Sequence, residues 1–250
     1  MRTSVSRFTA LAVLVAAASP LAAQQGLSVT PEAKTIIERH EAATGSKKDV
    51  SSVRATGTLS MPAQGITGTV EIVSAPPNRM AMKAVIGGIG TLESGFDGEH
   101  GWTIDPIMGP SLLTGKQLAQ ARLDSSFEER FLDPARFSSL TAAGVETFDG
   151  RKAHRIDAVD VNGDTSVQYF DVETGLHAGS VSTRETPMGA VEVTSFLRDY
   201  RKVDGLLQPH QLVQQMMGVE QIVTIDRIEF NAVKPDAFAM PPAIKALIKK

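Results

Sequence analysis

From residue 53 to residue 230 the chain is written in twos. Val53, Ala55, Gly57, Leu59 and Met61 alternate with Arg54, Thr56, Thr58 and Ser60. Ile66, Val70 and Ile72 alternate with Thr67, Thr69 and Glu71, and Met80, Met82, Ala84 and Ile86 with Arg79, Ala81, Lys83 and Val85. A β-strand sends successive side chains to opposite faces, so this period predicts strands with one buried face each. The alternation is punctuated by turn chemistry: P-A-Q-G, A-P-P-N, F-D-G-E, F-D-G-R, V-N-G-D, V-E-T-G, T-P-M-G and V-D-G-L. Short alternating runs joined by such tetrads read as successive hairpins, hence antiparallel neighbours. Strands are also expected near 92–96 and 101–104, and over 143–148, 151–159, 165–172, 176–185, 190–198, 207–217 and 219–230. The total is about eleven or twelve.

One helical segment precedes this pattern and another interrupts it. Thr30-Pro31-Glu32 supplies an N-cap, a first-turn proline and an acid at the positive end of the helix dipole. Ala33, Ile36, Ile37, His40 and Ala43 follow at helical spacing, and Gly45 closes a helix over 31–44. Residues 114–132 carry Leu118, Ala121, Leu123, Phe127, Phe131 and Leu132 as a second apolar edge, and Asp133-Pro134 reads as a further cap and first turn. The tail A-I-K-A-L-I-K-K is a short basic helix or a frayed end. No linker or repeat divides the chain, so the fold class is mainly β (α+β), a single curved antiparallel sheet over residues 24–250.

Residues 1–23 do not belong to that sheet. Arg2 and Arg7 precede a short apolar run that ends at Ala22-Ala23. This is the layout of a cleaved secretory signal peptide, too short to span a bilayer. Cleavage would move the net charge from −3 to −5 by removing two arginines and no acid. An acidic exported chain has no electrostatic footprint for nucleic acid. With no cysteine in its 250 residues, it has neither a disulfide frame nor a lipidation site, and a soluble periplasmic protein is expected.

Catalytic motifs are weak. His40-Glu41-Ala42-Ala43-Thr44 lacks the second histidine of H-E-x-x-H, and His40 sits on the apolar stripe, so it reads as structural. No G-x-S-x-G, P-loop or dinucleotide fingerprint is present, and Gly87-Gly88-Ile89-Gly90 precedes no helix signal. In S-G-F-D-G-E-H-G-W-T-I, Asp97-Gly98 is a tight-turn pair. Glu99 and His100 then lie at its tip, and Trp102 enters the next strand. These residues predict no enzyme, no metal and no cofactor.

The same hairpin carries a family likeness. A strand, D-G-x-x-x-W, and a strand ending in D-P, here F-D-G-E-H-G-W-T-I-D-P, resembles the periplasmic outer-membrane lipoprotein carriers, the LolA/LolB-like family. A-P-P-N-R-M-A-M-K looks like that family's strand pair after a Pro-Asn turn, and the order of helix, strands, helical insert and strands is similar. The resemblance covers residues 30–135, with weaker agreement in Y-F-D-V-E-T-G-L and F-A-M-P. The chain is long for a dedicated carrier and is more similar to lipoprotein-sorting-like proteins.

The resemblance implies an unclosed β-barrel whose mouth is covered by helices 31–44 and 114–132. It implies a monomeric carrier that binds lipid, or the acyl chains of lipidated protein, without covalent chemistry and meets membrane-associated sorting components. The expected cavity residues are Leu59, Met61, Val70, Ile72, Met80, Met82 and Trp102, with Phe127 and Phe131. Unbranched methionines, Met216 and Met217 included, suit variable chains or simply fill a core. A 14- to 16-carbon chain would contribute about 11–13 kcal/mol before costs. Two other readings stay open: an envelope interaction protein with a filled core, and a hydrolase using His154 or His210 with carboxylates from separate strands.

Overall fold

The computed structural model describes residues 26–186 and 189–248; the expected signal peptide at 1–23 lies outside them. The first half holds β1 (Ser28–Val29), α1 (Pro31–Thr44), β2 (Val53–Met61), β3 (Ile66–Ala75), β4 (Arg79–Ile86), β5 (Gly90–Phe96), β6 (Gly101–Asp105), β7 (Gly109–Leu112) and α2 (Gly115–Asp124). The second half holds β8 (Phe137–Phe148), β9 (Arg151–Asp160), β10 (Thr165–Asp171), β11 (His177–Thr186), β12 (Gly189–Val203), β13 (Leu206–Met216), β14 (Val219–Phe230) and α3 (Pro242–Ile248).

All fourteen strands form one sheet, in the order β1-β8-β9-β10-β11-β12-β13-β14-β2-β3-β4-β5-β6-β7. Hairpins make neighbours of consecutive strands, and one long-range pairing, β14 with β2, joins the two runs. Among the described residues, only the β1–β8 contact is parallel. β1 and β7 remain as edges, so the sheet curves without closing. Bulges between Ala142 and Val145, Tyr169 and Phe170, and Ile225 and Arg227 supply local bends.

The strand count exceeds the expected eleven or twelve for physical reasons. β1 has two residues, too few to show a period. β7 is G-P-S-L, which reads as a turn; proline is tolerated there because β7 is an edge. The helix expected over 114–132 stops at Asp124. Ser125 turns its hydroxyl back to the Ala121 carbonyl at 2.7 Å, and the Phe127 amide leaves to bond the Pro77 carbonyl. Asp133-Pro134 opens a turn rather than a helix, with Asp133 Oδ1 accepting the Ala135 amide. α1 matches expectation: Thr30 caps the Ala33 amide, and Ala33, Ile36 and Ile37 are buried.

Directly paired residues share a face, and the register carries α1's face around the sheet. α1 packs on Leu140, Ile156, Ala158 and Phe170. The same face continues through Gln168, Ser180 and Ser195, and through the register-matched set Leu197, Leu212, Val223 and Leu59. This inner face then reaches Val70 and Ala84. The opposite face carries the C-terminal segment: Phe238 packs with Val73 and Ala75, and α3 covers Trp102 through Ile244.

At the joining seam, Gly57 approaches β14 so closely that a Cβ would sit 1.9 Å from the Thr224 carbonyl oxygen. No rotamer relieves a clash with backbone. Gly57→Ala should therefore lower unfolding free energy by about 3 kcal/mol or more. Gly65→Ala, at a positive φ but in open space, should lose about 1 kcal/mol. Urea unfolding of the two variants beside the parent checks the ranking.

Candidate functional site

A cavity of about 560 Å³ lies between the inner face of β10–β13, the C-terminal end of α1, α2 and the 125–137 connector. α2 bridges its mouth. Gln120 donates to the Thr183 carbonyl at 3.2 Å and accepts the Glu185 amide at 3.0 Å, while Arg122 lies over Phe96 on the far side. The cavity volume falls within the ~300–1,000 Å³ of small-molecule sites.

The expected cavity residues are distributed unevenly. Of the nine, only Phe131 lines this cavity. Leu59, Met61, Val70, Ile72 and Met82 share the inner face further round the sheet, in a cluster with Ala84, Val223 and Ile225. There they are packed together, with Leu59 and Val70 each 3% exposed. Met80 pairs with Phe96 at the end of that face. Phe127 is buried with Lys47 over its ring. Trp102 must be moved to the other face. It pairs with Gly95 while Phe96 pairs with Gly101, and its indole lies on Gly95 under Met240 and Ile244. The one-residue alternation of a strand sends it away from the cavity.

The sequence reading missed that the cavity floor is polar. Ser166, Gln168, Ser180 and Ser182 line it, and direct cross-strand pairing continues the polar row beyond the cavity through Ser195, Gln214 and Gln221. Gln168 donates to Ser166 Oγ at 2.9 Å, and Gln214 to Ser195 Oγ at 3.3 Å. The alternation is visible in T-S-V-Q-Y-F and G-S-V-S, but here the apolar set faces outward. Phe148, Tyr169 and Phe196 stack there, with Phe148 4.0 Å from Tyr169.

One end of the cavity is aromatic. His40, Phe131, Phe170 and His177 pack edge to face at 5.0–6.1 Å. The His177 backbone N–H donates to His40 Nδ1 at 3.1 Å, tying α1 to β11, and His177 Nε2 meets Gln168 Oε1 at 3.1 Å. Burial lowers both imidazoles, His40 to about 4 and His177 to about 3, with the neighbouring His40 adding to the effect on His177. Both are neutral at pH 7, and His40 is a structural acceptor.

The charged lining is mostly self-neutralised. Lys47 pairs with Glu129, Arg130 with Glu128, Arg184 with Asp124, and Lys116 with Asp164. Arg136 and Glu41 line the cavity without such partners; Arg136 Nε and Glu41 Oε1 are shielded and unbonded. Burial raises the Glu41 carboxyl and lowers the Arg136 guanidinium. Among the described residues, neither His154 nor His210 bonds a carboxylate; His210 Nδ1 faces the Gln208 carbonyl at 3.0 Å. No three described His, Asp or Glu side chains are placed to hold a metal ion.

No family profile matches the sequence, and no curated protein matches it. Solved structures do. A LolA superfamily protein from Nitrosomonas europaea aligns with TM-score 0.56 at 10% identity, covering 83% of this chain and 97% of its own. A DUF1329 family protein from Desulfovibrio piger gives 0.55 at 12% identity, over 85% and 98% of the two chains. A candidate outer membrane lipoprotein-sorting protein domain from Vibrio parahaemolyticus gives 0.54 at 11% identity, over 88% and 99%. The chain has a LolA-like fold.

The histidine pair makes stability depend on pH. An unfolded histidine titrates near 6.5, whereas His40 titrates near 4 and His177 near 3 in the fold. The unfolded chain therefore binds protons first as pH falls. Stability is fully present above 6.5 and declines toward 4, by about 1.4 kcal/mol per pH unit for each histidine. Unfolding free energies measured between pH 7 and pH 4 should show this slope. Removing one imidazole, as in His40→Asn, should cut it by about one proton's worth.

Proposed function

We propose that this chain is an exported periplasmic carrier that binds lipid, or the acyl chains of a lipidated protein, on the inner face of one LolA-like domain spanning residues 24–250. Residues 1–23 act as its cleaved signal peptide, and its action is binding and release, without bond making. The observation that carries this reading is the inner face itself. A sheet with free edges at β1 and β7 holds a 560 Å³ cavity bridged by α2, next to a buried apolar cluster around Leu59, Val70 and Val223 that an acyl chain would enter by parting its packing. Burying acyl carbons in such a cluster supplies roughly 0.8 kcal/mol per CH₂. The LolA-like fold supports the reading, as does the lipoprotein-sorting description attached to the Vibrio domain. Lipid or lipidated protein is the cargo proposed, with membrane-associated sorting components as further partners.

One observation favours a second reading, an envelope protein that works by surface contacts over a filled core. Leu59, Val70 and Ala84 are packed against one another rather than lining the cavity. Native mass spectrometry separates the two. Mature protein isolated from periplasm without detergent should carry an added mass of several hundred daltons, recovered by organic extraction as phospholipid or acylated peptide. An unliganded mass, with no uptake of a fluorescent fatty-acid probe, would select the filled-core protein.

A further inference from the structure

We propose that the cavity is a head-group site. It takes an anionic oxygen group, a phosphate or a carboxylate, at Arg136, while the neighbouring serine and glutamine row holds the polar atoms beside that group. This rests on the carrier reading for the apolar part of the ligand and departs from a purely hydrocarbon occupant.

The charge pattern is the first support. Four cations in or beside the lining have carboxylate partners. Arg136 has none within ion-pair distance among the described residues. Its guanidinium lies over the Phe137 ring, Nη1 donates to the Arg130 carbonyl at 3.3 Å, and Nε finds no acceptor. Glu129, Asp124 and Asp133 act on it only from beyond ion-pair distance, and desolvation is the leading cause of its lowered pKa. Since Nε is shielded, the anion would meet the terminal nitrogens of the planar fork, whose geometry suits phosphate and carboxylate.

The second support is the floor. Ser166, Gln168, Ser180 and Ser182 are neutral groups that can donate hydrogen bonds. Gln168 is already held by Ser166 and His177, but a bare acyl chain laid over the serines would leave their hydroxyls short of an acceptor. An oxygen-rich head group leaves none of them short. Of the six acids in the lining, Asp124, Glu128, Glu129 and Asp164 are engaged by Arg184, Arg130, Lys47 and Lys116, and the other two do not oppose an anion strongly. Asp160 is occupied by the Asn162 and Asp164 amides, and burial pushes Glu41 toward its protonated form. The polar row gives way along the same face to the cluster of Leu212, Val223 and Leu59, into which a tail that parts their packing would continue from the head group.

Calorimetric titration of the delipidated mature protein tests this with two ligands of equal chain length, lysophosphatidate and monoacylglycerol. Lysophosphatidate should bind about tenfold tighter or more. Arg136→Gln should bring the ratio to about one while leaving monoacylglycerol affinity in place. Displacement by inorganic phosphate would assign the free anion as sufficient; no displacement would assign the head group as part of the lipid. Equal affinities in the parent protein overturn the proposal and leave the carrier reading standing. That ratio needs no variant, so it decides the matter even if Arg136→Gln does not fold. An unchanged ratio in a folded Arg136→Gln also overturns it. Binding of phosphate but of neither amphiphile keeps the anion site and sinks the carrier. Binding of nothing overturns both.

Discussion

Cross-strand partners share a face, and in this chain that rule runs unbroken through one sheet of fourteen strands. The position of every inner residue follows from it. Leu140 under α1 and Leu59 across the β14–β2 seam lie on one continuous surface because each intervening hairpin preserves the alternation or shifts it at a bulge. The bulge at Gly144 and the shift after Ile225 bend the sheet and return the pattern to register. A single slip would exchange the faces of a strand and turn its apolar side to water.

That surface is not uniform. Around β2–β4 and β14 the apolar residues point inward, as in an ordinary half-barrel. Around the cavity, Val167, Tyr169 and Val181 of β10 and β11 point outward, and the inner positions Ser166, Gln168, Ser180 and Ser182 are polar. The outward apolar set is stabilised by the Phe148, Tyr169 and Phe196 stack. The inner face therefore offers two chemistries side by side, and the cavity lies over the polar one. α1 meets this boundary through the His40 and His177 contact, which works only with a neutral imidazole acceptor.

Much of the architecture was legible from residue types. The Thr30-Pro31 start of α1, the Asp97-Gly98 turn, whose Asp97 Oδ1 accepts the Glu99 and His100 amides, and most strand limits follow from local chemistry. What was not legible depended on partners distant in sequence. α2 ends early because Phe127 bonds Pro77. Trp102 faces outward because a C-terminal segment more than a hundred residues later covers it. The polar floor showed as alternation, but alternation alone does not say which set faces inward when a stacked aromatic cluster can bury the other. Arg136 carried no signal in its surroundings; its importance appears only once the other cations have found their acids.

The β14–β2 seam has a consequence for how the molecule is made. Val53 pairs with Phe230 and Ser60 with Ile222, so the second strand in chain order waits for the last. Synthesis delivers β2–β7 first, with one edge unpaired and an apolar face uncovered. A pairing of such long range is slow to nucleate. Until residues 219–230 arrive, the N-terminal half is an aggregation-prone fragment rather than a stable intermediate, and the chain cannot be divided at its middle into two self-sufficient pieces.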